Sequence, residues 1–148
     1  MRTVATFSSS AFNVSEPRDY FINPECFGDD LAAWLASGLD ERGAGPCGAP
    51  RQEDFGWYFD FETPDGAHCC VLGYRPEERP GSGRWVLWLE RTAGFLGSML
   101  GRRKRVMPVA ARLIHEVLQE SPEIEELGWH ERRDFDRGRE DLAARTPE

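Results

Sequence analysis

Acidic side chains are the residues in this sequence whose spacing comes closest to that of a chemical site. Asp29 and Asp30 precede a predicted helix, and Glu53 and Asp54 precede a predicted aromatic strand. If the two turns meet at one end of a sheet, these carboxylates could hold a cation or transfer protons. Each also has a structural interpretation, because an aspartate can cap a helix and acidic residues solvate a strand end. The resulting hypothesis is an acidic pocket between the sheet and the helices, formed by Glu53, Asp54, His68 and Glu90.

The four cysteines and three histidines do not follow the spacing of a metal site. Zinc sites favour close C-x2-C pairs, whereas the nearest cysteines here, Cys69 and Cys70, are adjacent in sequence. His68 and Cys70 could share one strand face. The sequence contains no G-x-S-x-G serine motif, phosphate-binding loop or H-E-x-x-H motif. It therefore predicts free, reduced thiols, no metal and no cofactor, and it favours a non-catalytic protein over an enzyme.

The most unusual segment is the loop at residues 92–105. Large apolar residues lie among glycines there and precede a run of bases at the start of a predicted helix. Glycine disfavours a stiff helix, so the apolar residues either complete the core or contact a partner. The bases suit an anion, because the free N–H groups of a helix start attract negative charge. Three interpretations stay open: a loop that covers the sheet end, a contact of the bases with phosphate, nucleic acid or membrane, or a partner-binding element. The residues of that element would be Phe95, Leu96, Met99, Leu100, Arg102, Arg103 and Arg105.

The net charge restricts the classes of partner. The chain has 26 acidic and 18 basic residues, and its formal net charge is −8. Such a charge repels nucleic acid and anionic membranes and favours a basic protein surface. No apolar stretch approaches the roughly 20 residues of a spanning helix, and the first residues lack the apolar core of a signal peptide. We expect a cytoplasmic protein, monomeric or homodimeric, without a nucleic-acid or membrane partner.

The elements that would position these residues follow from hydrophobic periodicity. Apolar residues at helical spacing predict a helix over 29–42 and a second from Pro108 to the Ser121-Pro122 stop. Alternation at Phe55, Trp57, Phe59 and Phe61 predicts a half-buried strand whose aromatic row faces the core. The turn at 63–66, a partner strand over 67–75 and a third strand over 84–91 complete an antiparallel meander.

The remaining segments complete the predicted fold. A first strand or extended arm is expected within 11–22, and a last short strand at 124–130. The order β-α-β-β-β-α-β predicts an α+β two-layer sandwich, with an antiparallel sheet and two amphipathic helices on one face. Residues 1–10 are expected to be flexible, 11–130 to form the single domain, and the charged tail 131–148 to be disordered.

Three short segments are together similar to a family of small bacterial single-domain proteins. They are FGDDL at 27–31, QEDFGW at 52–57 and SPEI at 121–124, and the similarity covers roughly residues 20–130. No activity is assigned to that family. The resemblance therefore implies a bacterial cytosolic protein and gives no residue a functional role.

Two classes of function remain open. The first is a non-catalytic protein-binding or inhibitor module of the immunity type, in which an acidic surface with exposed aromatic residues meets a basic protein. Its candidate aromatic residues are Tyr58, Trp85, Trp88 and Trp129. The alternative is a small-ligand-binding protein or enzyme that uses the acidic pocket. Convergence of the carboxylates and His68 in one concave site would favour the alternative.

Overall fold

The computed structural model of the chain describes residues 1–77, 83–92 and 105–148. These residues form an antiparallel sheet of six strands in the order β2-β3-β4-β5-β1-β6. Two longer helices pack against one face of the sheet, which confirms the α+β two-layer sandwich. Within the described ranges, no helix has both the length and the apolar composition to cross a membrane. The strands are β1 Val4–Ser8, β2 Arg51–Glu53, β3 Gly56–Thr63, β4 Gly66–Arg75, β5 Arg84–Arg91 and β6 Glu125–His130.

The meander of β3, β4 and β5 follows the predicted alternation. Phe59 pairs in register with Cys70, and Cys70 with Leu89, so these three residues lie on one face of the three strands, where all of them are buried. Trp57 and Phe61 lie on the same face and are buried as predicted. The other three-strand face carries the intervening polar and aromatic residues, because side chains alternate along a strand.

Phe55 does not belong to the buried aromatic row, so that part of the prediction is wrong. The segment before it forms β2, which pairs with β3 around a tight turn at Asp54 and Phe55. A Cβ on Gly56 would lie 2.2 Å from the Leu72 carbonyl oxygen, so glycine is required where the turn enters the sheet. Phe55 therefore precedes the strand and is 59% exposed.

The first strand lies at Val4–Ser8, and residues 11–22 contain no strand, so the strand alternative predicted there is wrong. It is an internal strand between β5 and β6, and both of its faces are covered. Val4, Ala5, Thr6 and Phe7 are all buried. A strand buried on both faces has no alternating pattern, which is why these residues were expected to be flexible.

The two long helices are α1, Asp29–Glu41, and α2, Pro108–Glu120, in agreement with the predicted ranges. Their apolar stripes are buried on the sheet. The helices approach closely at Gly38, where an added Cβ would lie 2.7 Å from Val117 Cγ1. This close contact fixes α1 and α2 as one layer, which leaves the opposite face of the sheet to other elements.

The C-terminal segment, residues 131–148, was expected to be disordered, but it contains regular structure. It contains α3, Arg132–Asp136, and a 3-10 turn at Glu140–Leu142. Ala144 then pairs with Trp129 through two backbone hydrogen bonds of 2.7 and 2.8 Å. An added Cβ on Gly128 would lie 3.0 Å from Ala143 Cβ, so this segment packs on the sheet face opposite α1 and α2.

Candidate functional site

The four residues of the expected acidic pocket do not come together. Glu53 and Asp54 lie exposed at the β2–β3 hairpin. His68 is fully buried on the helix-facing side of β4. Glu90 is paired in register with Cys69, the neighbour of His68, and therefore lies on the opposite face of the sheet. The described residues thus form no acidic pocket between the sheet and the helices.

His68 has a structural role in the core. Its Nδ1 lies 3.0 Å from the Gly66 carbonyl oxygen, and its Nε2 lies 3.1 Å from the Met107 backbone nitrogen. Only a neutral ring with its proton on Nδ1 can donate to the carbonyl and accept from the amide at once. Burial lowers the pKa of His68, in agreement with that neutral form. The ring therefore fastens the start of α2 to β4.

Asp29 and Asp30 hold the preceding loop and do not cap α1 with a side chain. The N-cap residue is Gly28. The Asp30 carboxylate accepts backbone hydrogen bonds of 2.8 Å from Asn13 and from Leu31, and the Tyr20 hydroxyl donates to Asp29. Across the described part of the chain, no three His, Cys, Asp or Glu side chains are grouped to hold a metal ion.

The loop expected to bind a partner is mostly outside the described residues. Arg105 is described and is exposed shortly before α2 begins at Pro108. The recognition role of this loop stays a prediction. The residues outside the described ranges are Phe95, Leu96, Met99, Leu100, Arg102 and Arg103.

A row of side chains in register crosses the sheet face opposite the helices. Tyr58 of β3 pairs with Val71 of β4, and Val71 pairs with Trp88 of β5. Val71 is only 4% exposed between its two partly exposed aromatic neighbours. Phe55 extends this cluster, since its ring centroid lies 6.1 Å from that of Trp88. We call this outward side of β2–β5 the open face; it carries Arg51, Phe55, Tyr58, Asp60, Cys69, Val71, Trp88 and Glu90.

Each of two aromatic rings on the open face is covered by a guanidinium that also pairs with a carboxylate. Arg51 lies 4.8 Å from the Tyr58 ring centroid and 3.1 Å from Asp60. Arg132 of α3 lies 5.8 Å from the Trp88 ring centroid and 3.6 Å from Glu90. The same combination of ring and carboxylate therefore occurs twice, and it is suited to binding guanidinium groups.

The thiol on the open face is not an activated nucleophile. Cys69 lies in register between Asp60 and Glu90. Burial, followed by these two carboxylates, raises the pKa of Cys69 to about 12. A thiol with that pKa stays protonated near neutral pH, so it lacks the reactive thiolate. The described side chains of this face are suited to binding, and they provide no thiolate chemistry.

The sequence separates the surface aromatic residues from the core ones only in part. Tyr58 and Trp88 lie on the open face as expected, whereas Trp85 and Trp129 are fully buried and the expectation for them is wrong. Trp85 has the same parity as the buried Leu87 along β5, and Trp88 has the opposite parity. Strict use of that alternation would have placed Trp85 in the core.

Comparison of the chain with models of protein families, with curated proteins and with solved structures finds no significant match.

Proposed function

We propose that this chain is a non-catalytic protein-binding module, of the inhibitor or immunity type, that binds a basic partner through the open face. The observation that carries the proposal is the aromatic cluster of Phe55, Tyr58 and Trp88, with Asp60 and Glu90 beside it. Aromatic residues at the centre of an interface commonly contribute much of its binding energy. A sheet face that presents them together offers such a centre.

The chemistry of the face favours a basic partner. Asp60 and Glu90 keep 48% and 54% of their side-chain surface exposed while they pair with Arg51 and Arg132. Since exposed ion pairs contribute little on their own, an incoming arginine or lysine can replace or join them at small cost. The net charge of −8 adds long-range attraction for a basic surface.

The alternative function, a small-ligand-binding protein or enzyme with an acidic pocket, receives no support from the geometry. Its residues Glu53, Asp54, His68 and Glu90 are distributed over the hairpin, the core and the open face. An inhibitor module needs no such convergence, because it acts by covering a site on its partner.

The test begins with capture of partners from an extract of the source cells by three forms of the chain: wild type, Trp88→Ala and Tyr20→Ala. Tyr20 is a matched control, since it is 64% exposed but lies outside the open face. A captured protein is then purified, and its affinity is measured by titration calorimetry at two salt concentrations. We expect Trp88→Ala to weaken binding by about 30-fold, equivalent to about 2 kcal/mol, and Tyr20→Ala to leave it unchanged.

The dependence of affinity on salt concentration tests whether the partner surface is basic. A basic partner should bind more weakly at high salt, because screening reduces attraction between exposed charges. If wild type and Trp88→Ala bind the same purified partner with equal affinity, the open face is not the interface and the proposal is wrong. A partner without a basic surface, whose affinity is independent of salt, would contradict the predicted class of partner.

A further inference from the structure

A cavity of about 400 Å³ lies between the sheet and the C-terminal segment, apart from the open face. This volume is in the lower part of the range for small-molecule sites, roughly 300–1,000 Å³. One wall is formed by the outer side of the sheet and the other by residues of the C-terminal segment. The charged or hydrogen-bonding side chains that the argument uses are Thr6, Arg75, Arg84, Glu126, His130, Glu140 and Arg145.

A buried histidine in the wall of this cavity has one ring nitrogen without a partner. His130 is 2% exposed, and its Nε2 lies 2.8 Å from Thr6 Oγ1. Its Nδ1 is buried and has no hydrogen-bond partner among the residues that the structure describes. If the Thr6 hydroxyl donates to Nε2, the ring proton is on Nδ1, which then needs an acceptor. Leaving such a group unsatisfied is unfavourable, because the buried donor loses its hydrogen bond to water.

A second buried donor lies in the same wall. Arg84 donates through its two terminal nitrogens to Glu126, at 3.0 Å to the carboxylate and 3.1 Å to the carbonyl oxygen. Its Nε is buried, and within the described ranges no acceptor contacts it. Glu126 has φ 53°, a left-handed conformation that non-glycine residues adopt rarely. This strained residue holds the guanidinium in place while leaving Nε–H unused.

We propose that this cavity binds a small ligand through one oxyanion group, a carboxylate or a phosphate, that accepts hydrogen bonds from Arg84 Nε and His130 Nδ1. Both groups can act as donors, so the complementary group is an acceptor. Negative charge strengthens such bonds relative to neutral pairs. Arg145 lines the same cavity and makes no ion pair with any described residue, so its charge is available to the ligand.

The charges around His130 determine how an oxyanion would affect its titration. Burial lowers the pKa of His130, the Glu140 carboxylate opposes this shift, and Arg84 and Arg75 add to it. Arg75 binds Glu140 through two hydrogen bonds of 2.7 and 3.0 Å, which lowers the pKa of Glu140 and keeps it ionised. The Glu126 carboxylate is paired with Arg84, and the Glu77 carboxylate also lines the cavity. An added anion beside the ring favours its protonated form, so ligand binding should raise the pKa of His130.

The experiment titrates the full chain with inorganic phosphate or with acetate, at constant ionic strength, and follows the histidine ring signals by NMR. The chain has three histidines, so His130→Gln assigns the relevant signal. Arg84→Lys keeps the positive charge but removes Nε–H. Arg112→Lys is the matched control, since Arg112 lies on α2 and pairs with Glu148 at 3.3 Å outside the cavity.

We expect one of the two oxyanions to shift the His130 signals to saturation and to raise the pKa of His130. Arg84→Lys should weaken that binding by about tenfold, equivalent to about 1.4 kcal/mol, and Arg112→Lys should not change it. The anion that saturates at the lower concentration identifies the class, phosphate or carboxylate. The proposal is overturned if neither anion gives a saturable change, or if a folded Arg84→Lys binds the anion like wild type.

Arg145→Gln keeps the proposal testable if Arg84→Lys does not fold. Arg145 is exposed, so its replacement should leave the fold intact. Weaker oxyanion binding by Arg145→Gln supports the site. Unchanged binding by a folded Arg145→Gln, with Arg84→Lys unfolded, shows that the anion binds elsewhere and overturns it.

Discussion

Replacing Thr6 with valine should lower stability by removing one hydroxyl and little else. Valine has the same branched shape as threonine, so packing in β1 changes little. The hydroxyl is buried and lies 2.8 Å from His130 Nε2, a residue that is 124 positions away in sequence. Without it, neither ring nitrogen of His130 has a partner among the described residues. We expect a loss of about 1–3 kcal/mol in the free energy of unfolding.

Thermal unfolding followed by circular dichroism measures this loss. For a chain of this size 1 kcal/mol corresponds to about 2–4 °C, so Tm should fall by about 2–12 °C. The double variant Thr6→Val/His130→Phe is the control, because it removes both polar partners. Its loss should be smaller than the sum of the two single losses.

Two results would refute this reasoning. If Thr6→Val stays within about 0.5 kcal/mol of wild type, the hydrogen bond contributes nothing net to stability. If Thr6→Val costs the same with and without His130, the threonine acts through another contact. Either result would also remove Thr6 as the group that fixes the orientation of the His130 ring.

Three further predictions concern the core, the thiols and the histidines. Trp57→Ala should lower the free energy of unfolding by about 3–5 kcal/mol, measured by chemical denaturation. Phe55 is exposed, so Phe55→Ala should lower it by less than about 1 kcal/mol, and equal losses would contradict the assigned strand register. Burial and two neighbouring carboxylates raise the pKa of Cys69 to about 12, so its alkylation by iodoacetamide at pH 7.5 should be slow in the native chain and fast after denaturation. Mass spectrometry measures both rates. Equal rates would contradict the buried position of this thiol. The pKa values of His68 and His130 are lowered from 6.5, so near and below pH 6.5 the unfolded chain binds more protons than the folded chain, and the free energy of unfolding should fall as the pH drops. His130→Gln should make the free energy of unfolding depend less steeply on pH. An unchanged pH dependence would contradict the contribution of His130.

Helices and strands with a periodic pattern of apolar and polar residues were predicted closely. Segments whose structure depends on where they lie in the sheet were not. Strand β5 is confirmed at Arg84–Arg91. It could be predicted because its two faces differ, with Leu87 buried and Glu90 exposed. Strand β1 was missed because an internal strand covered on both sides gives no alternation. Phe55 was misplaced because it lies in the tight hairpin turn directly before β3 and continues the alternation of that strand in the sequence.

The open face shows the same limit at the level of single contacts. Parity along a strand is a local property, so Tyr58 and Trp88 could be assigned to the outer side from sequence. Arg51 over Tyr58 and Arg132 over Trp88 depend on where β2 and α3 lie, which no local pattern specifies. The pair of Thr6 and His130 likewise requires β1 beside β6, a contact between the two ends of the chain.

The C-terminal segment explains why one sheet face contains two different kinds of surface. The row of Tyr58, Val71 and Trp88 continues in register through Val4 to His130, so all six strands share one outer face. Over β1 and β6, residues 131–148 cover that face, and the polar groups beneath them become the wall of a cavity. Over β3 to β5 the aromatic residues Tyr58 and Trp88 stay partly exposed. Arg132 lies at the boundary, following β6 and contacting Trp88. The placement of this short segment therefore separates a surface suited to a protein from a cavity suited to a small anion.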